Sequence, residues 1–183
     1  MLMLTGDGTG DIYIGGAKDQ PGQLYLQKGN GFVKKEQPVF KQFAGFEDIA
    51  VLFFDADKDG DADLFIGAGG NNARPGSREL QHRLYKNDGK GNFTIDTKAF
   101  PDNDMNISVA AADDYDGDGH EDLFAGSRSV PYNYGISPPV IFITTDGNGH
   151  FKDVTPELCP QLLTAGMITA ALWADYPGII RKN

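Results

Sequence analysis

The sequence predicts an all-β fold built of four-stranded repeats, and three observations carry that expectation. The first is an acidic motif. Asp55-Ala56-Asp57-Lys58-Asp59-Gly60-Asp61-Ala62-Asp63-Leu64 recurs further along the chain as Asp114-Tyr115-Asp116-Gly117-Asp118-Gly119-His120-Glu121-Asp122-Leu123, and a weaker copy, Thr5–Gly15, precedes both. The second is a glycine-rich turn ending in an aromatic residue, at Gly29–Phe32, Gly89–Phe93 and Gly147–Phe151, with the phenylalanines at a nearly constant interval. Two independent markers in one phase define a repeat. The third is negative: helical periodicity is nowhere sustained, and Gly makes up 24 of 183 residues, which favours turns over long helices. Four short strands per repeat of this length is the pattern of β-propeller blades.

The elements follow in order. The first unit, residues 1–48, holds the runs Leu2–Leu4, Ile12–Gly15, Leu24–Gln27 and Phe32–Lys35. In the second, residues 49–106, Ala50–Phe54 enters the acidic loop and Leu64–Gly67 leaves it. Arg83–Asn87 then alternates apolar and polar residues, Asp88-Gly89 makes a hairpin turn, and Phe93–Thr97 closes the unit. The third, residues 107–166, repeats this with Ser108–Ala112, Leu123–Gly126, Val140–Thr145 and Phe151–Val154. Thr155–Gly166, with Pro156 and Pro160, reads as a linking loop with at most a helical turn. Met167–Trp173 reads as the first strand of a fourth blade over 167–183, where Ala174-Asp175-Tyr176 starts another acidic copy and runs into Pro177-Gly178. Propellers close with roughly 4–8 blades. About three blades make an incomplete propeller, a piece of a larger one or an open array with exposed edges, and such edges invite self-association.

Composition narrows the function classes. The net charge is −10, but it is local: residues 55–63 and 113–122 carry eleven acids and one base, and the remainder balances at fifteen of each. No basic stripe is present, so nucleic acid is an unsuitable partner. No apolar run reaches the roughly 20 residues of a membrane helix. A single cysteine, Cys159, excludes an internal disulfide framework. The start of the chain is not a signal peptide, so either the protein is not exported or the chain is a fragment.

The acidic loops have the chemistry of a Ca²⁺ site. Calcium takes 6–8 hard oxygen ligands in flexible geometry, and carboxylates at loop positions 1, 3 and 5 converge on one point, with Gly at position 6 for the turn. A backbone carbonyl from position 7 and an Asp at position 9 complete the set. The ligands expected are Asp55, Asp57, Asp59, the Asp61 carbonyl and Asp63 in the second unit, and Asp114, Asp116, Asp118, the His120 carbonyl and Asp122 in the third. An EF-hand is excluded, because position 12 holds Ile66 or Ala125 where that loop needs Glu. In the first unit positions 1 and 3 are Met3 and Thr5. Only Asp7 and Asp11 remain, a weak or empty third site.

These loops, together with the Gly-Asn-Gly-Phe turns and Phe151-Lys152-Asp153-Val154-Thr155, resemble the FG-GAP/VCBS-type repeat proteins, the propeller family of integrin α-subunit heads and many secreted bacterial proteins. The resemblance implies a Ca²⁺-bearing propeller of extracellular, cell-surface or periplasmic location, here a bacterial fragment. It also implies a role in adhesion, ligand binding or scaffolding as a module of a larger propeller, with a protein or carbohydrate ligand on one face. The competing class is the propeller part of a secreted polysaccharide lyase or hydrolase.

No catalytic residue is expected. His82, His120 and His150 lie in different units without metal-ligand spacing, and Cys159 has no neighbouring His. Gly6-Asp7-Gly8-Thr9-Gly10 lacks the Lys of a phosphate loop. The long polar connections Asn71–Arg78 and Ser127–Pro139 fall at the same place in two units and read as one crowded face, with Arg128, Tyr132 and Tyr134 suited to recognition.

Overall fold

The computed structural model describes residues 4–103 and 105–175. Its short β-forming runs, punctuated by Asp-Gly and Gly-rich turns, make three antiparallel sheets. The first contains β1 (Ile12–Ile14), β2 (Gln23–Lys28) and β3 (Gly31–Lys35). The second contains β4 (Asp48–Phe54), β5 (Asp63–Ala68), β6 (Arg83–Asn87) and β7 (Phe93–Asp96). The third contains β8 (Asn106–Asp113), β9 (Asp122–Ser129), β10 (Val140–Thr145) and β11 (Phe151–Asp153). Each sheet runs in sequence order, the meander of a propeller blade. The register recurs too: Tyr13 faces Leu24, Phe65 faces Leu84, and Phe124 faces Phe142.

The middle blade is covered on both sides, and its sequence shows why. All of β5, Asp-Leu-Phe-Ile-Gly-Ala, is buried. Alternation sends Leu64, Ile66 and Ala68 toward the first blade, where they meet Leu24, Phe40, Phe43 and Tyr85. Phe65 points the other way and packs with Phe54, Leu84, Leu123, Ile143 and Phe151 of the second and third blades. The linker between the first two blades holds a four-residue helix, α1 (Pro38–Lys41), begun by a proline whose fixed φ suits that position. It drives Phe40 edge-on against Tyr13 and Tyr85, at 5.3 and 5.1 Å.

Successive blades approach closely at one repeated glycine. A Cβ on Gly67 would lie 2.7 Å from Ile107 Cγ2, one on Gly126 would lie 2.8 Å from Ile168 Cβ, and one on Gly15 would lie 3.0 Å from Asp48 Cβ. In each case the segment that opens the following unit crosses its predecessor at this glycine. Gly67→Ala is therefore expected to force β5 and β8 apart at a cost of about 1–3 kcal/mol, read as a fall in urea midpoint. A variant as stable as the parent would show that this contact yields freely.

The third connection and Met167–Trp173 depart from the sequence reading, whereas the linking segment 155–166 carries the helical turn expected of it. The run Leu2–Leu4 lies outside the described residues except for Leu4, which is buried and whose carbonyl accepts the Asn87 side-chain amide at 3.0 Å. The third connection starts later than expected, because β9 continues to Ser129 on its ladder with β8. Thr155–Gly166 carries α2 (Thr155–Leu158) and a 3₁₀ turn (Pro160–Thr164), each opened by a proline at its N-terminus. Met167–Trp173 forms no ladder among the described residues. It lies extended over the third blade, with the Ile168 amide donating to Ser127 O at 2.9 Å and the Trp173 indole N–H to Ala111 O at 3.2 Å.

Candidate metal centres

The acidic loops join β4 to β5 and β8 to β9 and share one backbone design. Position 4 is left-handed in both, as Lys58 (φ 62°) and Gly117 (φ 80°), and so is position 6, as Gly60 (φ 91°) and Gly119 (φ 86°). These turns aim amides inward. Gly60 N–H donates to Asp55 Oδ2 at 3.0 Å and Gly119 N–H to Asp114 Oδ2 at 2.9 Å. Asp61 N–H donates to Asp59 Oδ1 and His120 N–H to Asp118 Oδ1, at 2.9 and 2.8 Å.

Within this frame the carboxylates converge. Asp55, Asp57 and Asp63 each place an oxygen within 4.8 Å of the others, and so do Asp114, Asp116 and Asp118. The two sets are not the same positions. Asp59 stands outside the first cluster, although it caps its turn as Asp118 does inside the second. Asp122 in the third unit accepts the Thr145 amide at 3.1 Å. The position-9 aspartate has a second task in all three units, pinning the loop to the third strand. Asp63 Oδ1 accepts Asn87 N–H at 2.8 Å and Asp11 Oδ1 accepts Gln27 N–H at 2.9 Å.

The electrostatics are unfavourable without a cation. Three carboxylates at such separation repel one another. Asp55 Oδ1, Asp57 Oδ1 and Asp122 Oδ2 are buried without any hydrogen-bond partner. Burial pushes the Asp63 carboxyl up to about 7 and the Asp122 carboxyl up to about 6, against the amides they accept. Asp61 is also raised, first by burial and then by Asp59 and Asp55. Partial compensation comes from Lys86, whose ammonium lies 3.2 Å from Asp57 Oδ2. Glu121 Oε2 accepts the Asp55 amide at 2.9 Å, tying the third-unit loop to the second. Hard oxygen donors, two of them orphaned in one cluster, fit a divalent cation of the calcium type. Sequence reasoning missed Lys86 and Glu121, because each reaches a loop distant from it along the chain and no local pattern marks either one.

The first loop is different. Asp7 Oδ1 accepts the Thr9 amide and hydroxyl, at 3.0 and 2.5 Å, and Lys28 lies 3.4 Å from Asp7 Oδ2. The Thr9 hydrogen bonds hold Asp7 down at about 2. Thr9 and Lys28 thus satisfy Asp7, whereas Asp11 Oδ1 accepts the Gln27 amide and its Oδ2 is buried without a partner. Met3 lies outside the described residues.

The histidines are dispersed. His82 is buried against Phe65 and Phe100 with neither ring nitrogen hydrogen-bonded, and burial lowers it to about 3, which keeps it neutral. His150 is exposed, with its Nδ1 3.3 Å from Asp146. No described helix is long and apolar enough to cross a membrane.

Comparison with known proteins agrees with this geometry. Residues 4–66 and 70–125 match a family model described as an FG-GAP-like repeat. The two matched stretches each contain one acidic loop of the strong kind. No curated protein matches the chain.

Proposed function

The chain belongs to the FG-GAP-like repeat family, and on that premise we propose that it is a calcium-stabilised β-propeller module for binding, adhesion or scaffolding outside the cytosol, without chemistry of its own. The observation that carries the metal part is the pair of buried, partnerless oxygens on Asp55 and Asp57, inside a three-carboxylate cluster whose loop recurs in the following unit. Asp55, Asp57 and Asp63 would hold one ion, and Asp114, Asp116 and Asp118 the other. Asp59 and Asp122 stand beside the clusters as the further carboxylates. A bound cation supplies the neutralising charge that lets these loops stay closed. Calcium suits the set better than magnesium, which demands octahedral geometry and gives up water reluctantly. Extracellular sites of this kind bind with Kd on the order of 10⁻⁴–10⁻³ M, which matches a module exposed to calcium-rich fluid.

Topology supports a ligand face at one end of the blades. Antiparallel strands put the β5–β6 and β9–β10 connections at the end opposite the acidic loops. That end carries a cleft of about 440 Å³ lined by Lys18, Glu47, Arg74 and Glu79, and another of about 410 Å³ beside Arg128, Asn133 and Tyr134. Mixed charge with exposed tyrosine suits a protein or carbohydrate ligand.

Calorimetric titration of calcium into chelator-stripped protein tests the reading. Two sites are expected, with Asp57→Asn and Asp118→Asn each removing one, and Asp7→Ala removing none. Heats that stay at the level of dilution up to millimolar calcium would end the proposal.

A further inference from the structure

The two strong acidic loops touch each other across the boundary between the second and third blades. Glu121 stands at position 8 of the third-unit loop, and its Oε2 accepts the backbone amide of Asp55, the first residue of the second-unit loop, at 2.9 Å. Position 8 faces the preceding unit in the second loop as well, where Ala62 is buried in the cluster that contains Leu4. Among the three loops only the third carries a carboxylate there. A second tie runs the opposite way. Lys58, at position 4 of the second loop, keeps φ at 62°, an uncommon conformation for a residue with a side chain, and its Nζ would lie 2.7 Å from a Cβ on Gly119 of the third loop.

Both ties end on residues that belong to the cation sites or adjoin them. Asp55 is a member of the second-unit cluster. Glu121 is followed by Asp122, which is only 3% exposed and leaves Oδ2 buried without a partner. It is preceded by His120, whose amide donates to Asp118 Oδ1 at 2.8 Å. Gly119, beside the Lys58 ammonium, donates its amide to Asp114 Oδ2 at 2.9 Å. Burial raises the Glu121 carboxyl, and Asp55, Asp113 and Asp114 add to the shift, so the first carboxylate of each loop lies within its field. Closing the third loop on an ion therefore fixes the backbone on both sides of Glu121, and Glu121 in turn fixes the Asp55 amide. A loop already ordered by its neighbour loses less conformational freedom when its own ion binds.

On the calcium reading of both loops, we propose that Glu121 is a positioning residue for the second-unit cation site, transmitting closure of the third-unit loop to Asp55, so that the two sites fill with favourable coupling. Direct repulsion between the two cations works in the other direction, but the tips of both loops are exposed and salt screens it. The coupling is reciprocal. The third ion tightens the second site by the same factor as the second ion tightens the third, roughly tenfold for a link of this kind.

Calorimetric titration of calcium into the chelator-stripped 183-residue chain measures the coupling. The overall two-ion affinity of the parent is compared with the product of the lone-site affinities, the second site read in Asp118→Asn and the third in Asp57→Asn. The parent should exceed that product roughly tenfold. With Glu121→Ala added to all three proteins the excess should vanish, and because the charge changes at 57 and 118 are the same in both backgrounds, the comparison isolates the link. Glu121→Gln, which keeps an oxygen for the Asp55 amide, should retain most of the excess. Amide hydrogen exchange gives a second readout. In Asp57→Asn, filling the third site should slow exchange at the Asp55 amide, and Glu121→Ala should abolish that slowing. Two sites whose joint affinity in the parent equals the product would overturn the coupling and leave the calcium reading standing. An excess that survives Glu121→Ala, or one lost equally in Glu121→Gln, would overturn the positioning role. Heats at the level of dilution would instead end the calcium reading itself.

Discussion

Arg83→Met is expected to lower the unfolding free energy by about 3–5 kcal/mol, the usual cost of stranding one partner of a buried ion pair. Arg83 Nη2 lies 2.6 Å from Asp48 Oδ1, and both side chains are buried. Asp48 Oδ2 accepts the Tyr13 hydroxyl at 2.8 Å and the Gly16 amide at 2.7 Å. One carboxylate thus joins β4 and β6 of the second blade to the first blade. Methionine removes the guanidinium, whose carbon also lies over the Phe43 and Phe46 rings at 5.7 and 4.6 Å, while keeping an apolar side chain in its place. The carboxylate is then left buried with two neutral donors. Adding Asp48→Asn removes the stranded charge and keeps an acceptor for Tyr13 and Gly16, so the double variant should recover part of the loss. Urea unfolding of the three variants supplies the measurement. A loss under about 1 kcal/mol for Arg83→Met would mean that water reaches Asp48 and that the blade junction is held by the aromatic cluster alone.

That network also shows where sequence reading stops. Strands and loops are encoded locally, by apolar runs between glycine turns, and the strands at Arg83–Asn87 and Val140–Thr145 have the boundaries read from the sequence. The acidic loops are equally plain, because a few consecutive residues carry their whole pattern. Asp48 and Arg83 are far apart along the chain and sit in ordinary contexts. Nothing local announces that they meet, or that Glu121 reaches the Asp55 amide. Helix α1 escaped notice because a single turn is too short to show a period. The unequal use of loop positions escaped notice for another reason. Loops of nearly equal sequence and backbone gather different carboxylates, and only the second-unit loop has Lys86 against it, a contact no local pattern marks. Asp11 illustrates the converse. It reads as half of a depleted metal site, yet its hydrogen bond to Gln27 reproduces what Asp63 does for Asn87, a structural task that survives loss of the other carboxylates.

Withdrawing calcium is expected to lower the melting temperature by several degrees at pH 8 and by much less at pH 5.5. At ten times Kd each site contributes about 1.4 kcal/mol by mass action, and two contribute about twice that. For a chain of this size about 1 kcal/mol corresponds to about 2–4 °C. The pH dependence follows from Asp63 and Asp122, raised in the metal-free fold to about 7 and about 6. A carboxyl raised on folding stabilises the fold fully below its unfolded value, and that contribution is lost as pH rises through the folded value. In chelator these two groups therefore favour the fold at pH 5.5 over pH 8. Calcium needs them ionised, so protons compete with it over the same window. At pH 5.5 a carboxyl of pKa about 7 weakens binding roughly thirty-fold, enough to take a site that is about ten-elevenths filled at pH 8 down to about one-quarter filled. His82, lowered to about 3, works in the opposite direction, because it opposes folding as pH falls below its unfolded value. It touches Phe65 and Phe100, not the acidic loops, so it cancels when the calcium and chelator melts are subtracted at each pH. The quantity to measure is that difference. It should be large at pH 8 and shrink steadily through pH 7 to 5.5. In Asp63→Asn the second-unit site should lose most of its share at every pH. A calcium increment that is flat from pH 5.5 to 8 would show that neither buried carboxylate carries a proton in the metal-free fold, and the loops would then be held shut by their amides alone.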